Sequence, residues 1–300
     1  MAAMFDVVGV GANSVDYVYR LPEYPRPDSS ASKLQIRSHL ISCGGQVATA
    51  LATCAAMGLK TTYVGAVGND ENGRRMRGEL AARGVDVSHA VTRDAVNPYA
   101  VILLDERQGE RIVLWDRSPA LALRPDEIPR DVITSARLLH VDDVDEDASI
   151  RAVGYAREAG IPVTSDIERV TERTAELMAA VTIPILGEHV LEPLTGERDF
   201  ERGLRALRRT HAGLLCVTLG SHGAMLLEGD RLHHVLGIRV PVTDTTGAGD
   251  VFRGAFIAAL LRGDAPEAVL RFANAAAALS CTRTGAIASV PTTAEVESRA

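Results

Sequence analysis

Residues 244–256 read DTTGAGDVFRGAF, in which a glycine-rich loop runs directly into an apolar segment. That segment predicts a helix, because its apolar residues recur at helical spacing: Val251, Phe252, Ala255, Phe256, Ala259 and Leu260. A helix N-terminus carries free backbone N–H groups, and residues with little or no side chain let an anion approach them closely. The stretch therefore predicts an anion-binding turn formed by Gly247, Ala248 and Gly249.

Asp250 follows this turn directly. A carboxylate beside an anion-binding turn repels the ligand that the turn attracts, so its presence needs a reason. A general base that accepts the proton of an incoming hydroxyl supplies one. The alternative is structural: a glycine turn in which Asp250 is the N-cap of the helix.

Composition restricts the classes of function. The chain has 300 residues, 46% of them hydrophobic and 24% charged, which is enough to bury a sizeable core in one α/β domain. Its 32 basic and 39 acidic residues give a net charge of -7. Such a chain carries no basic footprint for nucleic acid or for an anionic membrane. We therefore expect small-molecule partners, with neither nucleic acid nor membrane bound.

The four cysteines show neither metal-ligand spacing nor a secretory signal ahead of them: Cys43, Cys54, Cys216 and Cys281. We expect reduced thiols and a cytoplasmic location. No stretch reaches the roughly 20 apolar residues that a membrane span needs.

Short β-branched runs alternate with helical segments along the chain, beginning with FDVVGV, QVATALATCAAMG, TTYVGAV and ENGRRMRGELAARG. The alternation resumes after residue 125, with strands expected near 138–141, 162–165, 183–186 and 214–219. This pattern predicts a doubly wound, mostly parallel sheet with helices on both faces. We expect a single domain over residues 1–300.

Two stretches interrupt that rhythm, at about residues 14–42 and 98–117. Both have alternating apolar positions, and the second predicts a hairpin that turns at Gln108–Gly109. They predict a small β-sheet that forms a lid beside the main sheet, with an active site beneath it.

Two other kinds of phosphate-binding motif do not fit this sequence. GVGANS at 9–14 imitates the dinucleotide fingerprint of an NAD-dependent oxidoreductase, but Ser14 replaces the last glycine, and the following residues alternate like a strand. No G-x-x-x-x-G-K-[ST] occurs in the chain, which excludes a Walker-type NTPase.

The chain resembles the PfkB (ribokinase-like) family of ATP-dependent sugar kinases over nearly its whole length. DTTGAGDVFRGA at 244–255 is similar to the family's C-terminal signature, and CGGQVATALATCAAMG with VGAVGNDENG, within 43–73, is similar to its N-terminal one. VTLGSHGA at 217–224 and FANAAAALSCTRTGAIASVP at 272–291 resemble the segments that meet ATP. The resemblance implies a ribokinase-like α/β fold with a β lid, and transfer of a phosphoryl group from ATP to a sugar hydroxyl.

The resemblance also implies roles for individual residues. Asp250 would be the base, and the backbone of Gly247, Ala248 and Gly249 the anion hole. The implied sugar-binding residues are Asp16, Gly44, Gly45 and Gln46. The implied nucleotide-binding residues are Thr218, Gly220, Gly223, Asn274 and Gly285.

The metal sites are where this chain departs from the family. The family's N-x-x-E motif, associated with Mg²⁺, corresponds here to a segment with Gly187 in place of asparagine and Val190 in place of glutamate. We expect Glu188, Asp166 or Glu168 to supply the carboxylate instead. The resemblance also implies a K⁺ site, at positions Asp244, Thr246, Ser280, Arg283, Gly285 and Ser289.

GERIVLW at 109–115 resembles the fructose and sulfofructose kinase branch, so a ketohexose-type substrate is favoured. A ribose or nucleoside kinase is the alternative, for which Tyr99 and Trp115 are the lid aromatics able to support a base. A catalytically silent regulator that binds sugar or nucleotide is a third reading. An apolar lid face predicts a homodimer formed through the lid.

Overall fold

The computed structural model describes residues 3–27, 32–107 and 111–300. Its main sheet has nine strands in the order β15-β14-β13-β12-β11-β10-β1-β4-β6. In chain order these strands are β1 Phe5–Val10, β4 Thr61–Val64, β6 Val85–Asp86, β10 Ala136–Asp142, β11 Val163–Ile167, β12 Ile183–Gly187, β13 Leu215–Thr218, β14 Ala224–Glu228 and β15 Arg231–Val235. All neighbours from β6 to β13 pair in parallel, while β14 and β15 add an antiparallel edge. The predicted doubly wound, mostly parallel sheet is confirmed.

Helices cover both faces of this sheet. They are α1 Gln46–Ala56, α2 Glu71–Ala82, α3 Arg130–Ile133, α4 Glu146–Glu158, α5 Thr174–Ala180, α6 Glu188–Thr195, α7 Phe200–Arg208, α8 Ala248–Arg262, α9 Pro266–Ser280 and α10 Thr293–Glu297. Buried side chains of α4 to α7 form one core with the sheet, and those of α1, α2, α8 and α9 form the cores on the opposite side. Parallel strands buried on both faces explain the continuous apolar runs in the sequence.

A separate four-stranded sheet forms the predicted lid. Its strands are β2 Ser14–Leu21, β3 Ser38–Gly44, β8 Tyr99–Asp105 and β9 Arg111–Asp116, in the order β3-β2-β8-β9. A small pair, β5 Ala66–Gly68 with β7 Val91–Arg93, lies apart from it. The two interrupting stretches of the sequence thus meet through the parallel pairing of β2 with β8. The turn predicted at Gln108–Gly109 lies outside the described residues.

The strand β2 also decides between two readings of GVGANS. A dinucleotide fingerprint needs a helix after its glycines, and here an eight-residue strand follows. The dinucleotide reading is therefore wrong.

No helix among residues 3–27, 32–107 and 111–300 has both the length and the apolarity to cross a bilayer.

Helix α8 is enclosed on all sides along its middle. Its residues from Val251 to Ala259 are all buried, and it packs against both α1 and α9. Gly254 lies at the contact with α1, where an added Cβ would stand 2.5 Å from the carbonyl oxygen of Ala50 and 2.5 Å from the Cβ of Thr53. Close approach of the two backbones therefore requires glycine here.

We expect Gly254→Ala to destabilise the protein by about 1–3 kcal/mol, because the methyl group meets a backbone atom that cannot turn aside. The matched control is Gly78→Ala in α2, where an added Cβ meets nothing within 4 Å. That change should stabilise by about 0.5–1 kcal/mol, since alanine is the better helix former. Urea unfolding of both variants measures the difference; equal stabilisation by the two changes would contradict the tight α1–α8 contact.

Candidate active site

The predicted site residues gather at the carboxyl ends of the parallel strands. Asp142 ends β10, Asp166 lies in β11 near its end, and Glu188 follows β12 directly. In open α/β sheets this edge is where ligands bind. The N-terminus of α8 comes to the same edge, so the glycine loop faces these carboxylates.

The turn before α8 has the backbone shape that an anion site needs. Gly247 is the N-cap residue and has φ 76, a left-handed conformation that favours glycine. Helix α8 begins at Ala248, and the first N–H groups of a helix have no intrahelical acceptor. These groups belong to Ala248, Gly249 and Asp250; that of Ala248 donates to the carbonyl oxygen of Thr245 at 3.3 Å, so the donors left for a ligand include Asp250, one residue beyond the predicted set.

Asp250 is the third residue of α8 and is half-buried. Because Gly247 occupies the N-cap position, the reading of Asp250 as the N-cap is wrong. Burial raises the pKa of Asp250 to about 7, Arg253 opposes that rise, and the Glu168 carboxylate adds to it. A carboxylate with a raised pKa is a better proton acceptor for a hydroxyl than an ordinary surface aspartate.

Arg253, one turn after Asp250, was missed by the sequence analysis. Its side chain is 1% exposed, and its Nη2 lies 2.7 Å from Asp166 Oδ1 and 2.6 Å from Glu168 Oε1. The contact with Glu168 is a hydrogen bond, whereas Asp166 lacks the alignment of one and is held as an ion pair. The available signal was an arginine within the apolar run VFRGAFIAALL.

The turn after β11 is held so that Glu168 points at Arg253. Asp143 Oδ2 accepts hydrogen bonds from the backbone N–H groups of Glu168, at 2.8 Å, and Arg169, at 2.7 Å. Burial raises the pKa of Asp166 well above its usual range, although Arg253 opposes the rise. Two of the three carboxylates predicted for Mg²⁺ therefore already face a guanidinium, and their metal-binding role stays a prediction.

The predicted sugar-binding residues lie together where the lid strands β2 and β3 meet the start of α1. Asp16 is 7% exposed, and burial raises its pKa to about 6, with nearby Asp244 adding to the rise. Gly44 lies so close that an added Cβ would stand 2.9 Å from Asp16 Oδ2. Gly45, with φ 97, is the N-cap of α1, and Gln46 is the first residue of that helix. The arrangement leaves a carboxylate and the start of a helix side by side.

The lid contacts the loop that precedes α8, residues 244–247, through a second arginine that the sequence analysis did not identify. Arg111 Nη1 donates to Thr245 Oγ1 at 2.9 Å and to Thr246 Oγ1 at 3.4 Å. This contact joins the edge strand of the lid to the residues just before the anion-binding turn.

The two predicted lid aromatics face opposite ways. Strand register places Trp115 beside Ala100 and Ala100 beside Asp16, so these side chains share one face of the lid. Tyr99 lies on the other face, where its ring meets that of Tyr17 edge-on at 6.3 Å. Trp115 is 73% exposed and is the predicted aromatic on the face of the lid that carries Asp16.

On the nucleotide side, the predicted residues shape the loops after β13 and β15. Gly220 and Gly223 both have positive φ. Asn274 Nδ2 donates to the backbone oxygens of Val235 at 3.0 Å and Leu236 at 3.3 Å, so its amide holds the segment after β15. Thr218 Oγ1 donates to the carbonyl of Leu186 at 3.3 Å. Glu188 Oε1 lies 3.8 Å from a Cβ built on Gly220, which places this carboxylate beside the nucleotide motif.

The residues predicted for K⁺ divide into two groups. Asp244 Oδ1 accepts from the backbone N and Oγ1 of Thr246, at 2.9 and 2.7 Å, and Oδ2 accepts from Gly285 N at 2.9 Å. Asp244 thus connects the loop before α8 to the loop after α9 through hydrogen bonds. The others bond locally: Ser280 to Ala277 O, Ser289 to Ala286 O, and Arg283 to Glu295.

A model of the pfkB carbohydrate kinases matches residues 7–293. The chain belongs to this pfkB family of carbohydrate kinases. It is 28% identical over 301 residues to the nucleoside kinase of Methanothermobacter thermautotrophicus, covering 98% of this chain and 95% of that protein. It is 29% identical to the fructokinase of Solanum tuberosum, covering 96% and 93% of the two chains.

Solved structures agree with the family assignment. The ribokinase of Arabidopsis thaliana, complexed with ribose and ATP, has a TM-score of 0.83 and 25% identity, with 99% of this chain and 98% of that chain covered. The pfkB protein described here therefore has a ribokinase-like fold and is a sugar or nucleoside kinase.

Proposed function

We propose that the protein transfers the γ-phosphoryl group of ATP to a hydroxyl of a sugar, with a ketohexose-type sugar favoured. One observation carries the proposal: the Asp250 carboxylate stands in the first turn of α8, beside the glycine turn whose N–H groups lack helical acceptors. A base and an anion hole side by side, beneath a lid that carries Asp16, are the parts that phosphoryl transfer to an alcohol needs.

In this mechanism Asp16 accepts hydrogen bonds from sugar hydroxyls, since a carboxylate can accept from two adjacent hydroxyls at once. Asp250 accepts the proton of the attacking hydroxyl. At the same time the hydroxyl oxygen bonds to the γ-phosphorus, and the bond between that phosphorus and the ADP oxygen breaks. The N–H groups of Ala248 and Gly249 stabilise the charge on the transferring group. Mg²⁺, bound with ATP, would neutralise phosphate charge, and Glu188 is the carboxylate we propose to hold it.

A nucleoside kinase is the second candidate, because Trp115 is exposed on the lid face that carries Asp16 and offers a flat apolar surface to a base. Its support also includes a nucleoside kinase among the relatives. A silent regulator is disfavoured, since both Asp250 and the anion-binding turn are present. ADP release measured over ketoses, aldoses, sulfosugars and nucleosides separates the substrates, and no release with any of them would support the regulator.

Asp250→Asn should lower kcat by roughly 10² to 10⁴, because the amide keeps the shape of the turn but cannot accept a proton. The affinity for ATP, measured by calorimetry, should barely change. The control is Asp131→Asn, which alters an exposed aspartate in the first turn of α3. Turnover by Asp250→Asn within a few fold of the control would remove Asp250 as the base.

Glu188→Gln should raise the Mg²⁺ concentration needed for the half-maximal rate, because Glu188 lies beside the nucleotide motif and has no guanidinium partner among the described residues. The matched control is Glu192→Gln in the same helix, whose carboxylate pairs with Arg198 on the surface. Identical Mg²⁺ profiles for the two variants would show that Glu188 does not organise the metal.

We expect K⁺ to raise kcat more than it tightens sugar binding. The support is that Asp244 joins both loops of the proposed cation site, so a cation there would orient the N–H groups of the anion-binding turn. Rates in potassium, sodium and tetramethylammonium salts at matched ionic strength test this, since general screening treats the three alike. Equal rates in all three would rule out a specific cation site.

A homodimer through the lid also remains a proposal. The lid face opposite Asp16 exposes Ile112 and Leu114, and a groove on it is lined by Tyr19, Val101 and Leu103. Sedimentation of the purified chain tests it. The cytoplasmic location stays a prediction too, supported by four cysteines that are all free thiols.

A further inference from the structure

Arg253 is a charged residue that is buried in the core. It lies in the interior of α8 with 1% of its surface exposed, and Asp166, its ion-pair partner, is 0% exposed. Glu168 completes the pairing from the same strand end. Burying an ion costs several kcal/mol after relaxation, so a buried carboxylate is stabilised by hydrogen bonds, by protonation or by a cation close by, and here a cation lies beside it.

That cation can be a metal ion or a side chain, and the geometry decides between them. One nitrogen of Arg253, Nη2, reaches both carboxylates and also lies 3.5 Å from the carbonyl oxygen of Ile185. A divalent ion at Asp166 and Glu168 would occupy the space of this guanidinium and repel its charge. Among the described residues, moreover, no group of three His, Cys, Asp or Glu side chains is arranged to hold a metal ion.

The guanidinium also supports the anion-binding turn from beneath. Its Nη1 lies 2.8 Å from the position of a Cβ built on Gly249, so it packs directly against the first turn of α8. Through this contact the carboxylates at the end of β11 hold the helix N-terminus, and with it Asp250, against the sheet.

The same cluster accounts for the glycine at 187. A Cβ at this position would stand 2.7 Å from Glu168 Oε2. The asparagine that the family motif carries there would collide with Glu168 in its present position. An asparagine at 187 would therefore require the Glu168 carboxylate to move from the position in which it pairs with Arg253.

We propose that Arg253 is the resident cation of this site: it takes the place of a metal ion at Asp166 and Glu168, and it is a positioning residue for Asp250 and the anion-binding turn. The positioning role rests on the proposed kinase function, whereas the replacement of a metal does not.

The metal part is tested on the full chain without nucleotide or sugar, by titrating Mn²⁺ in a calorimeter. Any Mn²⁺ binding by the wild type should be unchanged in Asp166→Asn and Glu168→Gln. Arg253→Met should gain a Mn²⁺ site, because removing the guanidinium leaves Asp166 and Glu168 without their cation and frees the space beside them for an ion; adding Asp166→Asn should remove that site. The matched control is Arg262→Met at the C-terminal end of the same helix. It breaks the ion pair of Arg262 with Asp264 and should gain no site.

Loss of wild-type Mn²⁺ binding on Asp166→Asn would overturn the proposal, as would a folded Arg253→Met variant that gains no site. If Arg253→Met does not fold, the comparison of wild type with Asp166→Asn still decides, because it leaves the arginine in place.

The positioning part is tested with Arg253→Lys, which keeps the charge but cannot reach both carboxylates and the turn at once. We expect kcat to fall about 10²-fold, the effect of a small misplacement of reacting groups, with the KM for sugar little changed. An equal rise in KM with kcat unchanged would overturn it. If the wild type phosphorylates no acceptor, the proposed function fails, while the Mn²⁺ titration still decides whether Arg253 replaces a metal.

Discussion

The geometry of this site depends on the placement of helix α8. The helix must begin at the carboxyl edge of the sheet, and its middle must be buried on every face. Burial from Val251 to Ala259 leaves the helix no freedom to shift or rotate. Gly254 sets the distance to α1, and the pairing of Arg253 with Asp166 sets the distance to the sheet. The free N–H groups of the first turn are therefore held in place before any ligand arrives, which is the condition for an effective anion hole.

Much of the negative charge at this edge is held out of water. The pKa values of Asp16, Asp142 and Asp250 are all raised by burial, to about 6 or 7. Asp142 is bound by the backbone N–H groups of Ala12, at 2.6 Å, and Val144, at 3.0 Å, and so fixes the loop that follows β1. Among the described residues, no loop N–H group donates a hydrogen bond to Asp250 as Ala12 and Val144 do to Asp142. This difference between neighbouring carboxylates suits Asp250 to exchange a proton.

The edge strand β9 of the lid is joined to the body by polar contacts, whereas β2 and β3 pack Val15 and Cys43 into the apolar core. Arg111 reaches the hydroxyls of Thr245 and Thr246, and Thr246 in turn is held by Asp244. Exposed hydrogen bonds of this kind are weak individually, whereas the body is held by close-packed apolar side chains. The edge of the lid, tied down in this way, can move without disturbing the helix that carries Asp250.

The order of residues along the chain was enough to predict the alternation of strands and helices, the lid strands, and the glycine turn followed by Asp250. These features are local: periodicity, helix starts and glycine conformations are properties of a few consecutive residues. What the sequence does not give is pairing across the fold. Arg253 was not identified, and the ion pairs of Asp166 and Glu168 were not foreseen, because nothing in a linear chain brings residues 166, 168 and 253 together. The pairing arises only when the chain folds, because folding places the end of β11 under the first turn of α8, where the buried guanidinium is stabilised by carboxylates within ion-pair distance.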